Sequence, residues 1–138
     1  MRGKASRGAP AAEPSPTRRL AWLIGAVIWL LAFAAMISFN AADPPGHAVV
    51  PLNPPGEIAN WIGSFGAAFA YHTFSMLGIG AWIILFSLGG YLAHIAWRGP
   101  IDHAWVRGIG VVMVALAISG FQALLAPKAS AFPEGGGG

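Results

Sequence analysis

From Ile58 to Trp97 the chain runs for 40 residues without a formally charged side chain. A helix rising 1.5 Å per residue crosses the roughly 30 Å hydrocarbon core of a bilayer in about 20 residues. The stretch is therefore too long for one span, yet it holds no loop that would split it into two. Its texture divides it instead. Ile58, Trp61, Ile62, Phe65, Phe69 and Phe74 recur at helical spacing, while Asn60, Gly63, Ser64, Ala67, Ala68 and Tyr71 fall between them. That pattern predicts a helix with one bulky and one small-residue face. From Phe74 to Ala96 the sequence is more uniformly apolar. The expectation is a helical lead-in over 57–72, followed by a span over 74–96. The lead-in is either a separate interfacial helix or the first turns of one long tilted helix.

The remaining segments fit the same reading. Of 138 residues, 56% are hydrophobic and 9% charged, too few charges to cover a soluble domain of this size. Leu20 to Phe39 carries no charge and matches the thickness of a bilayer core. Basic residues precede it as in a secretory signal, but the apolar run exceeds the usual 7–15 residues of a signal's core, about one turn of helix or more. A retained span over 20–39 is preferred. A third span is read over 106–125, with Arg107 in its first turn. The fold class is thus an all-α membrane protein with three transmembrane helices. Residues 1–19, rich in Pro, Ala, Gly, Ser and Arg, read as a disordered basic tail. Residues 20–126 form the helical domain, and 127–138 a Pro/Gly-rich loop. Residues 40–57 hold five prolines and the acids Asp43 and Glu57, and read as an extended, solvated loop.

Loop charge sets the expected orientation. The tail holds Arg2, Lys4, Arg7, Arg18 and Arg19, and the 97–108 connector holds Arg98 and Arg107. The 40–57 loop has no Lys or Arg, and the C-terminal segment has only Lys128. The positive-inside rule then puts the tail and connector in the cytoplasm and the loop and residue 138 outside, in a bacterial inner membrane. Trp22, Trp61, Trp97 and Trp105 fall near the expected interfaces, where amphipathic rings collect.

Few residues are equipped for chemistry. With no cysteine, the chain has no disulfide, thiolate metal site or thiol nucleophile. His72 and His94 lie 22 residues apart, about 33 Å along a continuous helix, too far to share a haem iron. His47 and His103 belong to loops on opposite sides. No acid, Lys or Arg occupies the middle of a span, which argues against ion conduction or proton-coupled transport. Only Lys4 and Lys128 are present, and neither follows a phosphate-binding glycine loop. No catalytic, cofactor or metal residue is therefore assigned. The positive signal is small residues four apart. Gly63, Gly66, Ala67 and Ala70 form the densest cluster, and Gly89 with Ala93 forms another pair. Such residues let helix backbones approach closely in lipid, so these six are the candidate packing sites.

The ordered set of features resembles the N-terminal membrane domain of FtsK/SpoIIIE-type DNA translocases. The residues that carry the resemblance are Asp43-Pro44, Asn60 with Gly63, Gly66 and Ala67, Trp97-Arg98, and the glycine-rich end. The resemblance covers residues 20–138. It implies a four-span septal anchor of a distant ATPase motor that moves double-stranded DNA, here ending before the fourth span. It implies a non-enzymatic segment without a cofactor, ATP and Mg belonging to the motor, and contact with DNA only through that motor. Expected partners are the lipid bilayer, further copies of the chain and cell-division membrane proteins. Two other classes remain open: a small standalone membrane subunit of a respiratory or transport complex, and a septal scaffold without a motor.

Overall fold

The computed structural model describes residues 15–43, 57–99 and 101–125. Among these, four helices and no strands occur: α1 Pro16–Ile37, α2 Gly63–Leu77, α3 Gly80–Arg98 and α4 Ala104–Leu125. The 1–14 part of the tail, residues 44–56 and the 127–138 loop lie outside the described residues. Helices α1, α3 and α4 are long and apolar enough to cross a membrane, with mean hydropathies of 2.5, 1.4 and 2.1 over their most apolar windows. At 15 residues α2 reaches only about 22 Å and falls short of a bilayer core.

Several boundaries differ from the sequence expectation. Helix α1 starts at Pro16, so Arg18 and Arg19 belong to its first turn instead of the tail. Proline suits that place because the first helical N–H has no intrahelical partner to lose. The division of the long uncharged stretch lies at Gly78-Ile79, not near residue 73, and the helical lead-in begins at Gly63, not at 57. Gly78 has φ +51 and ψ −135, a backbone conformation that side chains oppose, and its N–H donates to the Phe74 carbonyl at 2.8 Å. His72 and His94 therefore sit on two helices, and the length of one straight helix does not describe their separation.

Helix α1 packs against α2 and α3, and α3 packs against α4, while α2 also touches α3 and α4. Helices α1 and α4 do not meet among the described residues. The C-terminal ends of α1 and α4 and the N-terminal end of α3 gather at one end of the bundle, where α2 bridges them. Asp43 and Glu57 lie there. The opposite end carries Arg18, Arg19, Arg98 and Arg107 together with Asp102 and His103.

The core is small and sits under α2. Met36, Ala70, Phe74, Ala81 and Leu85 form it, with Trp29, Phe33, Phe39 and Trp82 packed around. Phe39 and Trp82 flank Phe74 at ring-centroid distances of 5.0 and 6.0 Å. Phe74 is thus buried on the small-residue side of α2 with Ala67 and Ala70, instead of on the bulky face assigned from spacing. Outside this core many large apolar side chains of α1 and α4 are exposed, among them Leu20, Leu23, Ile24, Val27, Ile28 and Leu30 on α1, and Ile109, Met113, Leu116, Phe121, Leu124 and Leu125 on α4. Large hydrophobes in such number on an outer surface match hydrocarbon, not water. The chain is an integral membrane protein. Replacing Gly78 by Val is expected to destabilise the fold by about 1–3 kcal/mol, measured as a lower SDS fraction at half-unfolding in detergent micelles.

Candidate functional site

Three joints hold the helices, and two of them repair backbone that the chain leaves open. The first caps α1. Asp43 is 2% exposed and Asn60 4% exposed. The Asp43 carboxylate accepts the Ala59 N–H at 3.0 Å and the Asn60 N–H at 2.9 Å. The Asn60 amide donates to the Ala35 carbonyl at 2.8 Å and the Ser38 carbonyl at 3.4 Å, and its Oδ1 accepts the Ile62 N–H at 3.0 Å. Ser38 Oγ donates to the Ala34 carbonyl at 2.6 Å and accepts the Trp61 N–H at 3.1 Å. The last carbonyls of a helix lack intrahelical partners, and this network supplies them. Asp43 is therefore not a solvated loop residue: its charge is spent on two backbone donors inside the protein.

Gly66 and Gly63 shape the same joint differently. A Cβ at Gly66 would run into Asn60 Oδ1 and come within 2.5 Å of Ile62 Cβ. A side chain there would expel the Asn60 amide. Gly63 has open space around it but holds φ +70, so its demand is conformational. Its N–H donates to the Asn60 carbonyl at 2.9 Å and turns the chain into α2. Ala67 and Ala70 are buried against α1. The partner of this small-residue face lies within the same chain, a point that spacing alone left open.

The second joint is an antiparallel ladder between α1 and α3. Trp22 Nε1 donates to the Leu92 carbonyl and Trp29 Nε1 to the Leu85 carbonyl, each at 2.8 Å. Both tryptophans and both acceptors are seven residues apart, so the two bonds share one register. An indole N–H in an apolar interior needs an acceptor, and a helical carbonyl has a second lone pair to offer. Gly89 makes room for it. A Cβ there would lie 2.7 Å from Trp29 Cζ2 and 3.0 Å from Trp29 Nε1. Gly25 also faces α3, but a Cβ there would make only ordinary contact with Leu92 Cδ2, at 3.4 Å. Ala93 is half-buried one turn beyond Gly89. Trp22, read from sequence as an interfacial ring, is a rung of this ladder.

The third joint serves the break between α2 and α3. Ser119 Oγ of α4 accepts the Gly80 N–H at 3.1 Å and lies in hydrogen-bond reach of the Leu77 carbonyl and, at 2.9 Å, the Ala115 carbonyl. Having one proton, it donates to one carbonyl at a time. Gln122 Oε1 accepts the Ile79 N–H at 3.4 Å. A Cβ at Gly80 would collide with the Ala115 carbonyl, so α3 and α4 touch backbone to backbone here. Gly80, Ser119 and Gln122 are not among the candidate packing sites read from the sequence. The signal available was a serine and a glutamine in an otherwise apolar span.

No group of three or more potential metal ligands occurs among the described residues. What the described residues bring together at these joints is a set of hydrogen bonds that seat helices. Asp43→Asn replaces one acceptor by a donor facing an N–H and is expected to cost about 1.5–3 kcal/mol in SDS unfolding. Trp29→Phe removes the indole donor together with the part of the ring that lies over Gly89, and is expected to cost at least the roughly 0.6–1.7 kcal/mol of the hydrogen bond. Gly89→Leu, which forces the ring out, should cost more than Trp29→Phe in the same assay. The reverse order would remove the steric role given to Gly89.

Residues 16–138 match the family described as the 4TM region of DNA translocase FtsK/SpoIIIE. No curated protein and no solved structure matches the chain.

Proposed function

The chain belongs to the family of the 4TM region of DNA translocase FtsK/SpoIIIE, and from that membership we propose that it anchors a DNA translocase in the membrane at the division septum during chromosome segregation. The observation that carries the reading is the extent of the family match, which runs from the first turn of α1 through every described helix. That region is the membrane domain of the family, not its ATPase motor. The work of this segment is then mechanical: it inserts, packs, assembles with further copies and division proteins, and holds a force-generating motor in place. A tether under load benefits from helices joined through backbone hydrogen bonds, which do not slide as an apolar face can.

Charge supports an orientation in the inner membrane. Four arginines mark one end of the bundle, and the other end has acids but no Lys or Arg among the described residues. By the positive-inside rule the arginine end is cytoplasmic. The chain has no cysteine, so single cysteines report topology directly. In intact cells a membrane-impermeant maleimide should label Glu57→Cys and spare Asp102→Cys until the membrane is permeabilised. Labelling of Asp102→Cys alone would invert the orientation. A fluorescent fusion of the chain should concentrate at mid-cell. Even distribution around the cell perimeter would exclude septal targeting by this segment.

A further inference from the structure

Helices α3 and α4 touch at Gly80 and Ala115, but toward the arginine end they enclose a groove of about 640 Å³. Ile84, Leu88, Val111 and Val112 form its apolar part. Tyr91, His94, Trp105 and Arg107 line its other part, next to the α3–α4 connector. Gly90 and Gly108 also line it, and a Cβ at either would meet nothing within 4 Å. The groove is therefore amphipathic along its length, apolar at mid-depth and cationic at the mouth.

We propose that this groove is a binding site for an anionic phospholipid of the leaflet at the arginine end. Ile84 to His94 is ten residues of helix, about 15 Å, which is half of the roughly 30 Å hydrocarbon core. One acyl chain reaches that far from its headgroup. With the chain laid along Leu88 and Val112, the phosphate comes to the level of Arg107, whose guanidinium binds phosphate oxygens in a fork. Tyr91, His94 and the Trp105 indole add hydrogen-bonding groups at the same depth, where indole rings settle at membrane interfaces. Arg98, at the end of α3, and Arg18, beside Gly99, add to the positive field there. A transmembrane helix from another copy would fill the apolar part but would have no use for the cation at its mouth. Charge complementarity selects a lipid with a negative headgroup.

The test uses the full chain, purified in mild detergent and examined by native mass spectrometry with phosphatidylglycerol or phosphatidylcholine added. Phosphatidylglycerol is expected to be retained preferentially. Arg107→Gln is expected to lower its retention about fivefold, the effect of one basic side chain near a membrane surface, with phosphatidylcholine unchanged. Gly108→Leu puts a side chain into the groove from a position where a Cβ meets nothing within 4 Å, and is expected to abolish retention of phosphatidylglycerol while leaving SDS unfolding at the wild-type value. Equal retention of the two lipids, or an unaffected Gly108→Leu variant, would overturn the site. So would efficient dimer cross-linking through Gly108→Cys in the native membrane, because the groove would then be covered by a second copy.

Discussion

Wherever a helix stops within or beside the apolar layer, its last carbonyls and the next helix's first N–H groups must find partners inside the protein, because hydrocarbon offers none. Among the described residues, two such stops on the same side lead on to another helix, after Ile37 and after Leu77. Each stop is answered by a short set of polar side chains. Ser38, Asp43 and Asn60 serve the first, and Ser119 and Gln122 serve the second. These side chains do more than satisfy backbone. They determine which helices are neighbours: Asn60 ties the entry to α2 to the end of α1, and Ser119 ties the exit from α2 to α4. Helix α2 can therefore be too short to span and still be fixed at both ends.

Close approach of backbones follows from the same requirement. Lipid tails are as apolar as leucine, so helices gain little by hiding apolar surface from lipid, and contact must come from fit and hydrogen bonds. Gly66 admits the Asn60 amide, Gly80 admits the Ser119 hydroxyl, and Gly89 admits the Trp29 indole. In each case the space left by a missing side chain is occupied by a polar group on its way to a backbone partner. Glycine here serves hydrogen bonding more than helix flexibility. The two indole bonds between α1 and α3 also set the register, since a slide of one residue would break both.

The two ends of the bundle differ in what they contribute. The acidic end is closed by buried hydrogen bonds, which suits a structural clamp. The arginine end is open, with a groove between α3 and α4 and exposed cations around it. In the proposed anchor role, the closed end would supply rigid connection between the helices, and the open end would carry the proposed lipid site.

How much of this could be read in the sequence depended on the range of the interaction. Three long apolar helices, their order and the charge difference between loops rest on composition and local periodicity, because a bilayer imposes one length and one polarity on any span. The family resemblance rests instead on an ordered set of particular residues, Asp43-Pro44, Asn60 with Gly63 and Gly66, and Trp97-Arg98. The candidate cluster from Gly63 to Ala70 was visible as spacing, but its two glycines turned out to have different tasks, one conformational and one steric. Asp43 could be placed in a proline-rich loop but not inside the protein. Its burial depends on Ala59 and Asn60 returning to it across 16 and 17 positions. The break at Gly78-Ile79 is likewise stabilised by Ser119 and Gln122, some 40 positions away. The sequence alone determined a membrane protein with three long apolar helices, since hydrophobicity acts locally against the bilayer. Only the tertiary structure decided where the long uncharged stretch divides and which helices pair, since those outcomes rest on hydrogen bonds between distant parts of the chain.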